Sequence, residues 1–267
     1  MDTSVVITGG ARGIGRAIAQ QMVARGHRVV LTDVDGAAAA DTASELGAEE
    51  GLTHDVRNPG EHRLVAQAAL DHGPLVAWFN NAGVGDDGRL TELTEEQVRR
   101  LVDVNLLGVL WGMRAAVDAF GPGGGDVVNT ASLAGLGPVP GYGVYAATKA
   151  AVVSITGSVD AETPTGVRCH AVCPDVVDTA MLTEGHTQDS LGSRIAHSGG
   201  RVLTAEEVAR HAVSLVGSRR VVLSVPAWRG GITRAAGLAP SLSRHAMRLV
   251  EAQGRRAIAR RAGDAGG

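Results

Sequence analysis

The chain is almost without lysine: of its 25 basic residues only Lys149 is a lysine, and the other 24 are arginines. Positive surface charge is therefore carried by guanidinium, and the lone ammonium asks for a chemical reason. Cysteine is nearly as scarce. Cys169 and Cys173 stand close together on one short β-branched run, which leaves no room for an easy disulfide and too few companions for a structural zinc site. They read as reduced, buried thiols of a cytoplasmic protein. A net charge of −3 offers no general attraction to nucleic acid or to an anionic membrane. No uninterrupted apolar stretch reaches the length of a membrane span. Met1 leads directly into Val5-Val6-Ile7 with no basic segment or cleavage site, so no leader is expected. The nine histidines show no metal-ligand spacing, each reads as a surface or helix residue, and no metal is expected.

What is present is alternation. Short β-branched runs at Val5–Thr8, Arg28–Asp33, Gly51–His54, Val76–Asn80, Asp126–Thr130, Val167–Cys173 and Val221–Val225 predict strands. Between them Gly13–Arg25, Gly36–Leu46, Gly60–Asp71, Thr94–Phe120, Ala146–Thr163 and Ala205–Val216 carry helical periodicity. A βαβ series of this kind predicts an α/β fold of Rossmann type: a doubly wound, mostly parallel seven-stranded sheet with helices on both faces. Ligands of such sheets bind beyond the carboxyl ends of the strands. One catalytic domain is expected over residues 1–235, including a substrate loop at about 180–203, followed by a helical extension and tail over 236–267. The basic residues of that extension are expected to pack on the enzyme or a partner subunit rather than to hold a membrane surface.

Thr8-Gly9-Gly10-Ala11-Arg12-Gly13-Ile14-Gly15 follows the first strand and opens the first helix. Glycines at such a turn let the backbone approach a pyrophosphate, while the helix N-terminus offers N–H groups to it. The second strand ends at Asp33, where a carboxylate would accept the adenosine ribose hydroxyls and repel a 2′-phosphate. NAD is thereby favoured over NADP. Arg12 argues the other way, and Asp33 also reads as an ordinary turn aspartate in Asp33-Val34-Asp35-Gly36.

Tyr145 and Lys149 stand four residues apart, so on a helix they share a face. A free tyrosine has a pKa of about 10 and is a poor base unless positive charge stabilises its phenolate. Lysine is a compact, rotatable cation suited to that task and to holding a sugar hydroxyl. Tyr142, the other tyrosine, has Ala146 at the matching position and reads as a pocket residue.

With Gly9, Gly13 and Gly15, with Asn80-Asn81-Ala82-Gly83 after the fourth strand, with Ser132 after the fifth, and with Tyr145 and Lys149, the chain resembles the short-chain dehydrogenase/reductase family over roughly residues 4–225. The resemblance implies an NAD(P)-dependent oxidoreductase acting on a small-molecule alcohol or ketone. It implies catalytic roles for Tyr145 as general acid/base, Lys149 as ribose ligand, Ser132 as the residue that orients the reacting oxygen, and Asn105 as support for a water relay. It adds Ile14, Asp55, Val56, Asn81, Ala82, Gly83, Pro174, Val177 and Thr179 to the cofactor contacts. Asp55 equally reads as a helix cap, and Asn81 as a tie between strands. Pairing into a homodimer or homotetramer is implied, through the helices Thr94–Phe120 and Ala146–Thr163.

Two departures from the family pattern stand out. Asp175 follows Pro174 where the family has glycine, and reads either as a turn aspartate facing water or as a site residue. Val225-Pro226-Ala227-Trp228-Arg229-Gly230 replaces a glycine-rich ending. The uncharged segment Leu133–Pro140, with Met181 at the start of the variable loop, predicts a mostly apolar substrate pocket lined by Leu133, Ala134, Tyr142, Asp175 and Met181, for a lipophilic secondary alcohol.

Overall fold

The computed structural model describes residues 3–86, 88–163, 165–179 and 201–238, with Gln253 and Arg256 beyond them. Seven parallel strands form one sheet in the order β3-β2-β1-β4-β5-β6-β7. They are β1 (Ser4–Thr8), β2 (Arg28–Asp33), β3 (Glu50–Thr53), β4 (Leu75–Asn80), β5 (Gly125–Thr130), β6 (Val167–Pro174) and β7 (Val222–Val225). The helices are α1 (Gly13–Ala24), α2 (Gly36–Leu46), α3 (Pro59–Asp71), α4 (Glu95–Val102), α5 (Gly108–Ala119), α6 (Gly143–Glu162), α7 (Ala205–Val213) and α8 (Ala227–Leu238).

Strand side chains alternate between the two faces. Val5 and Ile7 of β1 enter one core with Ile18 and Met22 of α1 and Val208 of α7. Val6 enters the other with Trp78, Met113 of α5 and Val152 of α6. The central strands are thus covered on both sides, which is why β1 and β4 are largely apolar, while the edge strand β3, Glu-Gly-Leu-Thr, is half-exposed. The chain reverses direction across the sheet between β1 and β4, and the carboxyl ends of these two strands flank the crevice where the candidate site lies.

The expected helix Thr94–Phe120 is three pieces. Thr94 caps α4 through a reciprocal bond with Gln97, and a π-helical turn, Asp103–Leu107, separates α4 from α5. Asn105 lies in that turn with no exposure. A second difference is α8, which the sequence reading did not contain and which runs through the boundary drawn at 235/236. Its glycines lower helix propensity, yet they answer to packing. A Cβ at Gly230 would strike the Ser224 side chain, and one at Gly237 would lie 3.2 Å from the Leu136 carbonyl. The extension expected beyond it lies outside the described residues, apart from Gln253 and Arg256.

Candidate active site

The turn after β1 is shaped by glycine. Gly9 and Gly13 take φ of 63° and 56°, the left-handed region that favours glycine. A Cβ on Gly9 would stand 2.8 Å from the Ala82 Cα, and one on Gly15 would strike the Gly9 carbonyl. Arg12, at the N-cap of α1, makes no side-chain bond to the first turn, which also holds no acidic residue. Nothing in that turn competes with a phosphate for the helix's first N–H groups. Asp33 reaches the same turn: its Oδ2 accepts from the Ala11 N–H at 3.3 Å and its Oδ1 from the Asp35 N–H at 3.3 Å. The reading of Asp33 as a turn aspartate is thus seen, in a side chain that also meets the glycine turn.

Behind the turn, the Thr8 hydroxyl accepts the N–H groups of Asn81 and Ala82, each at 3.1 Å. The Asn81 amide donates to the Gly9 carbonyl at 3.0 Å and accepts from the Thr130 hydroxyl at 3.3 Å. Asn81 thus ties β1, β4 and β5 together, and Ala82 and Gly83 are held where the glycine turn meets the catalytic side. Asp55 folds onto Arg57 through two or more bonds of 2.6 to 3.0 Å, and that guanidinium holds its carboxyl below the usual range. It does not cap α3; Asn58 does, accepting from the Gly60 N–H. Val56 is buried against the start of α5, where a Cβ on Gly108 would stand 2.9 Å from it.

On the other side, Ser132 follows β5. Its hydroxyl accepts the Ala134 N–H at 3.1 Å, closing the short 3-10 turn Leu133–Leu136, and stands near enough to the Tyr145 phenol to act on its ionisation. Helix α6 buries Lys149, Val152 and Thr156 along one face. Thr156 joins a buried chain of amides, accepting from Asn129, whose oxygen accepts from Asn80. That chain fixes α6 behind the sheet and carries Tyr145 and Lys149 to the strand ends. Lys149 donates to the Thr130 carbonyl at 2.9 Å, and its Nζ lies 5.7 Å from the Tyr145 ring centre. Burial pushes the Tyr145 phenol up, against the opposing influence of the Ser132 hydroxyl, and pushes Lys149 down to about 8. The ring of Tyr142 stands 5.8 Å from that of Tyr145. Asn105 pairs both ways with the Val84 main chain, at 2.8 Å each, and a Cβ on Gly83 would stand 3.2 Å from its Oδ1 and 3.6 Å from the Lys149 Nζ.

Thr179 closes the crevice on the far side, its methyl 3.3 Å from where a Cβ on Gly13 would be. Pro174 ends β6. A glycine cradle, an uncapped helix N-terminus, an acid at the end of β2 and the Tyr145–Lys149 pair meet in one crevice, and these residues fit a dinucleotide.

Several expectations are corrected. Leu133 is 4% exposed and packs with Val152 and Cys173 in the core rather than lining a pocket. Val177 likewise turns inward, beside Leu203, so only its main chain is left to meet a cofactor. Asp175 does not face water: Arg229 holds it, Nε to Oδ2 at 2.8 Å. His54 and His170 are neither surface nor helix residues, since His170 is buried within β6 and His54 is buried just past the end of β3. Met181 and most of the expected substrate loop lie outside the described residues. Sequence reasoning missed Thr8, whose place beside the glycines was the only signal. It also missed Cys173, a fully buried thiol near the Ser132 main chain and Lys149.

Residues 3–190 match the family model for short chain dehydrogenase. The sorbitol dehydrogenase of Cereibacter sphaeroides is 39% identical over 180 residues, which are 66% of this chain and 70% of that protein. A short chain dehydrogenase/reductase from Burkholderia phymatum, solved in complex with NAD, superposes with a TM-score of 0.79 at 31% identity, covering 90% of this chain and 95% of the other. The actinorhodin polyketide ketoreductase solved with NADPH superposes at 0.72 with 28% identity, covering 84% and 95%. With this match across most of its length, and with the Ser132, Tyr145 and Lys149 cluster at the strand ends, the chain belongs to the short-chain dehydrogenase/reductase family of oxidoreductases, which act on alcohols and ketones.

Proposed function

We propose that the protein interconverts a secondary alcohol and its ketone with NAD(H), using Tyr145 as general acid/base. The observation that carries this reading is the Lys149 ammonium held on the Thr130 carbonyl 5.7 Å from the Tyr145 ring centre, with Ser132 beside them at the end of β5. Bound NAD(H) would give or take the hydride; the proton is the protein's task. In reduction the phenol, kept protonated by burial, donates to the carbonyl oxygen that the Ser132 hydroxyl holds in register. The Lys149 ammonium then stabilises the phenolate left behind. In oxidation the same phenolate withdraws the alcohol proton. A pure binding protein would need no such proton donor.

Asp33 supports NAD, because a carboxylate hydrogen-bonded to the glycine turn repels a 2′-phosphate. An NADP(H)-dependent ketoreductase is the second reading, resting on exposed Arg12 at the rim of that turn. Ala134 and Tyr142 would line the pocket of a substrate with a lipophilic body. A groove of about 310 Å³ between α5 and α6, lined by Leu110, Val117, Ile155 and Val159 among others, supports pairing of two copies through these helices. Two free, buried thiols support a cytoplasmic location. Among the described residues no helix is long and apolar enough to cross a membrane.

The test is turnover of NADH and NADPH over a panel of ketones, diacetyl among them, and alcohols, with Tyr145→Phe as control. Turnover that survives the substitution in a folded enzyme would end the mechanism, and a preference for NADPH would select the second reading.

A further inference from the structure

The two departures from the family pattern meet each other. Asp175 stands one residue beyond the end of β6, with its N–H on the Val225 carbonyl at 2.8 Å. Its carboxylate is ion-paired with the Arg229 guanidinium, Nη2 donating to Oδ1 at 3.3 Å and Nε lying 2.8 Å from Oδ2 out of line for a hydrogen bond. The two side chains are only 10% and 19% exposed. They lie 54 residues apart in sequence, so the pair closes a long connection. Arg229 also lies 5.8 Å from the ring of Trp228, its neighbour on α8.

The pair fixes where α8 sits. One turn beyond Arg229, Thr233 donates to the Arg229 carbonyl at 2.9 Å, and its own carbonyl lies so close to Gly137 that a Cβ there would collide with it. Gly237 meets Leu136 in the same way. Gly137 and Leu136 end the turn that Ser132 opens. A guanidinium on α8 thus anchors, at β6, the helix that backs the Ser132 turn. Beneath this arrangement lies the buried Cys173 thiol, two residues before Asp175, near the Ser132 main chain and near enough to Arg234 of α8 to feel its charge.

We propose that Asp175 and Arg229 form a positioning clamp that sets the substrate side of the active site: by holding α8 against Leu136 and Gly137 it fixes the Ser132 turn, and with it the hydroxyl facing Tyr145. The proposal rests on the reading of Ser132 and Tyr145 as the catalytic pair. Among the described residues neither member of the clamp is bonded to the glycine turn, so its effect is expected on the substrate side before the cofactor side.

The experiment uses the full chain with Asp175→Gly, which restores the family residue, the milder Asp175→Asn, Arg229→Met, and the double variant Asp175→Gly/Arg229→Met. KM and kcat are measured with diacetyl or the first panel ketone that the wild type reduces, and NADH affinity by titration. Each single variant should raise KM about tenfold with NADH affinity changed less than about twofold, and the double variant should be no worse than the worse single. An unchanged KM in all singles, losses that multiply in the double, or a parallel loss of NADH affinity would overturn the clamp. A second readout is independent of turnover. In a Cys169→Ala background a disulfide reagent should label Cys173 about tenfold faster or more once the clamp is cut, because α8 no longer holds the turn above it. Labelling at the wild-type rate would overturn the proposal even in a variant with altered kinetics. Should the wild type reduce no ketone, the proposed activity fails, and the labelling still decides the clamp.

Discussion

The two flanks of the crevice are built by different means. On the flank proposed to hold the dinucleotide the contacts come mostly from the main chain and short neutral side chains, Asn81 to Gly9 and Thr8 to two backbone amides, with the half-buried Asp33 carboxylate on the Ala11 N–H as the one charge. On the catalytic flank charges are buried, with Lys149 on the Thr130 carbonyl and Asp175 on Arg229. Binding a phosphate asks for backbone N–H groups in a fixed curve, which glycine and a helix end supply cheaply. Moving a proton asks for groups whose ionisation is displaced, and displacement requires burial. The contrast implies that damage to one flank should leave the other working.

The strongest break is Tyr145→Phe. Removing the proton donor should lower kcat about a thousandfold, while NADH titration shows nearly wild-type affinity. A parallel loss of affinity would mean that the flanks are not separable.

The next concerns the floor of the dinucleotide flank, where His54 and His62 lie buried with ring centres 4.3 Å apart. Burial, aided by His62, lowers His54 to about 3 from 6.5. A folded-state pKa below the unfolded one means that the unfolded chain takes up the proton first as pH falls. Stability is therefore lost between pH 6.5 and about 3. His54→Gln, which stays neutral, should remove on the order of 3 kcal/mol of that loss at pH 4, seen as a smaller drop in urea midpoint between pH 7 and pH 4. Equal drops in both proteins would refute the assignment.

Lys149→Arg keeps a charge and tests the catalytic flank alone. The site is 4% exposed and admits no wider fork, so kcat/KM should fall about a hundredfold. Full activity would make the single lysine an accident of composition. The smallest effect is expected of Asp33→Ala, which should shift the ratio of kcat/KM for NADH over NADPH by about tenfold towards NADPH, without changing kcat for NADH much. No shift would leave Asp33 a turn residue only.

How much of this was legible follows the same division. The glycine turn, Asp33 and all seven strands could be read because they depend on local backbone conformation and on alternation along a short run. Tyr145 and Lys149 were legible from helical spacing, and Ser132 from its place after β5. What escaped depends on partners far away in the chain. The role of Asp175 is invisible without Arg229, and α8 is invisible because Gly230, Gly231 and Gly237 argue against a helix until Ser224 and Leu136 are seen beside two of them. The π-helical turn at Asn105 carries no glycine or proline to announce it. Leu133 and Val177 sit in segments whose alternation was too short to say which way each side chain turns.

A protein with one lysine has one ε-amine, and here it lies at the point where bond-making is proposed to occur. With its proton affinity lowered to about 8, that amine is partly neutral at mildly alkaline pH, so it can be methylated by formaldehyde and a hydride reductant at the rate at which its buried site opens. Isotope-labelled formaldehyde would then install a single side-chain methyl signal, separate from the chain's amino terminus, in a molecule with no other lysine to confuse it. The same scarcity that sets Lys149 apart in the composition makes the active centre observable by magnetic resonance without assignment of anything else.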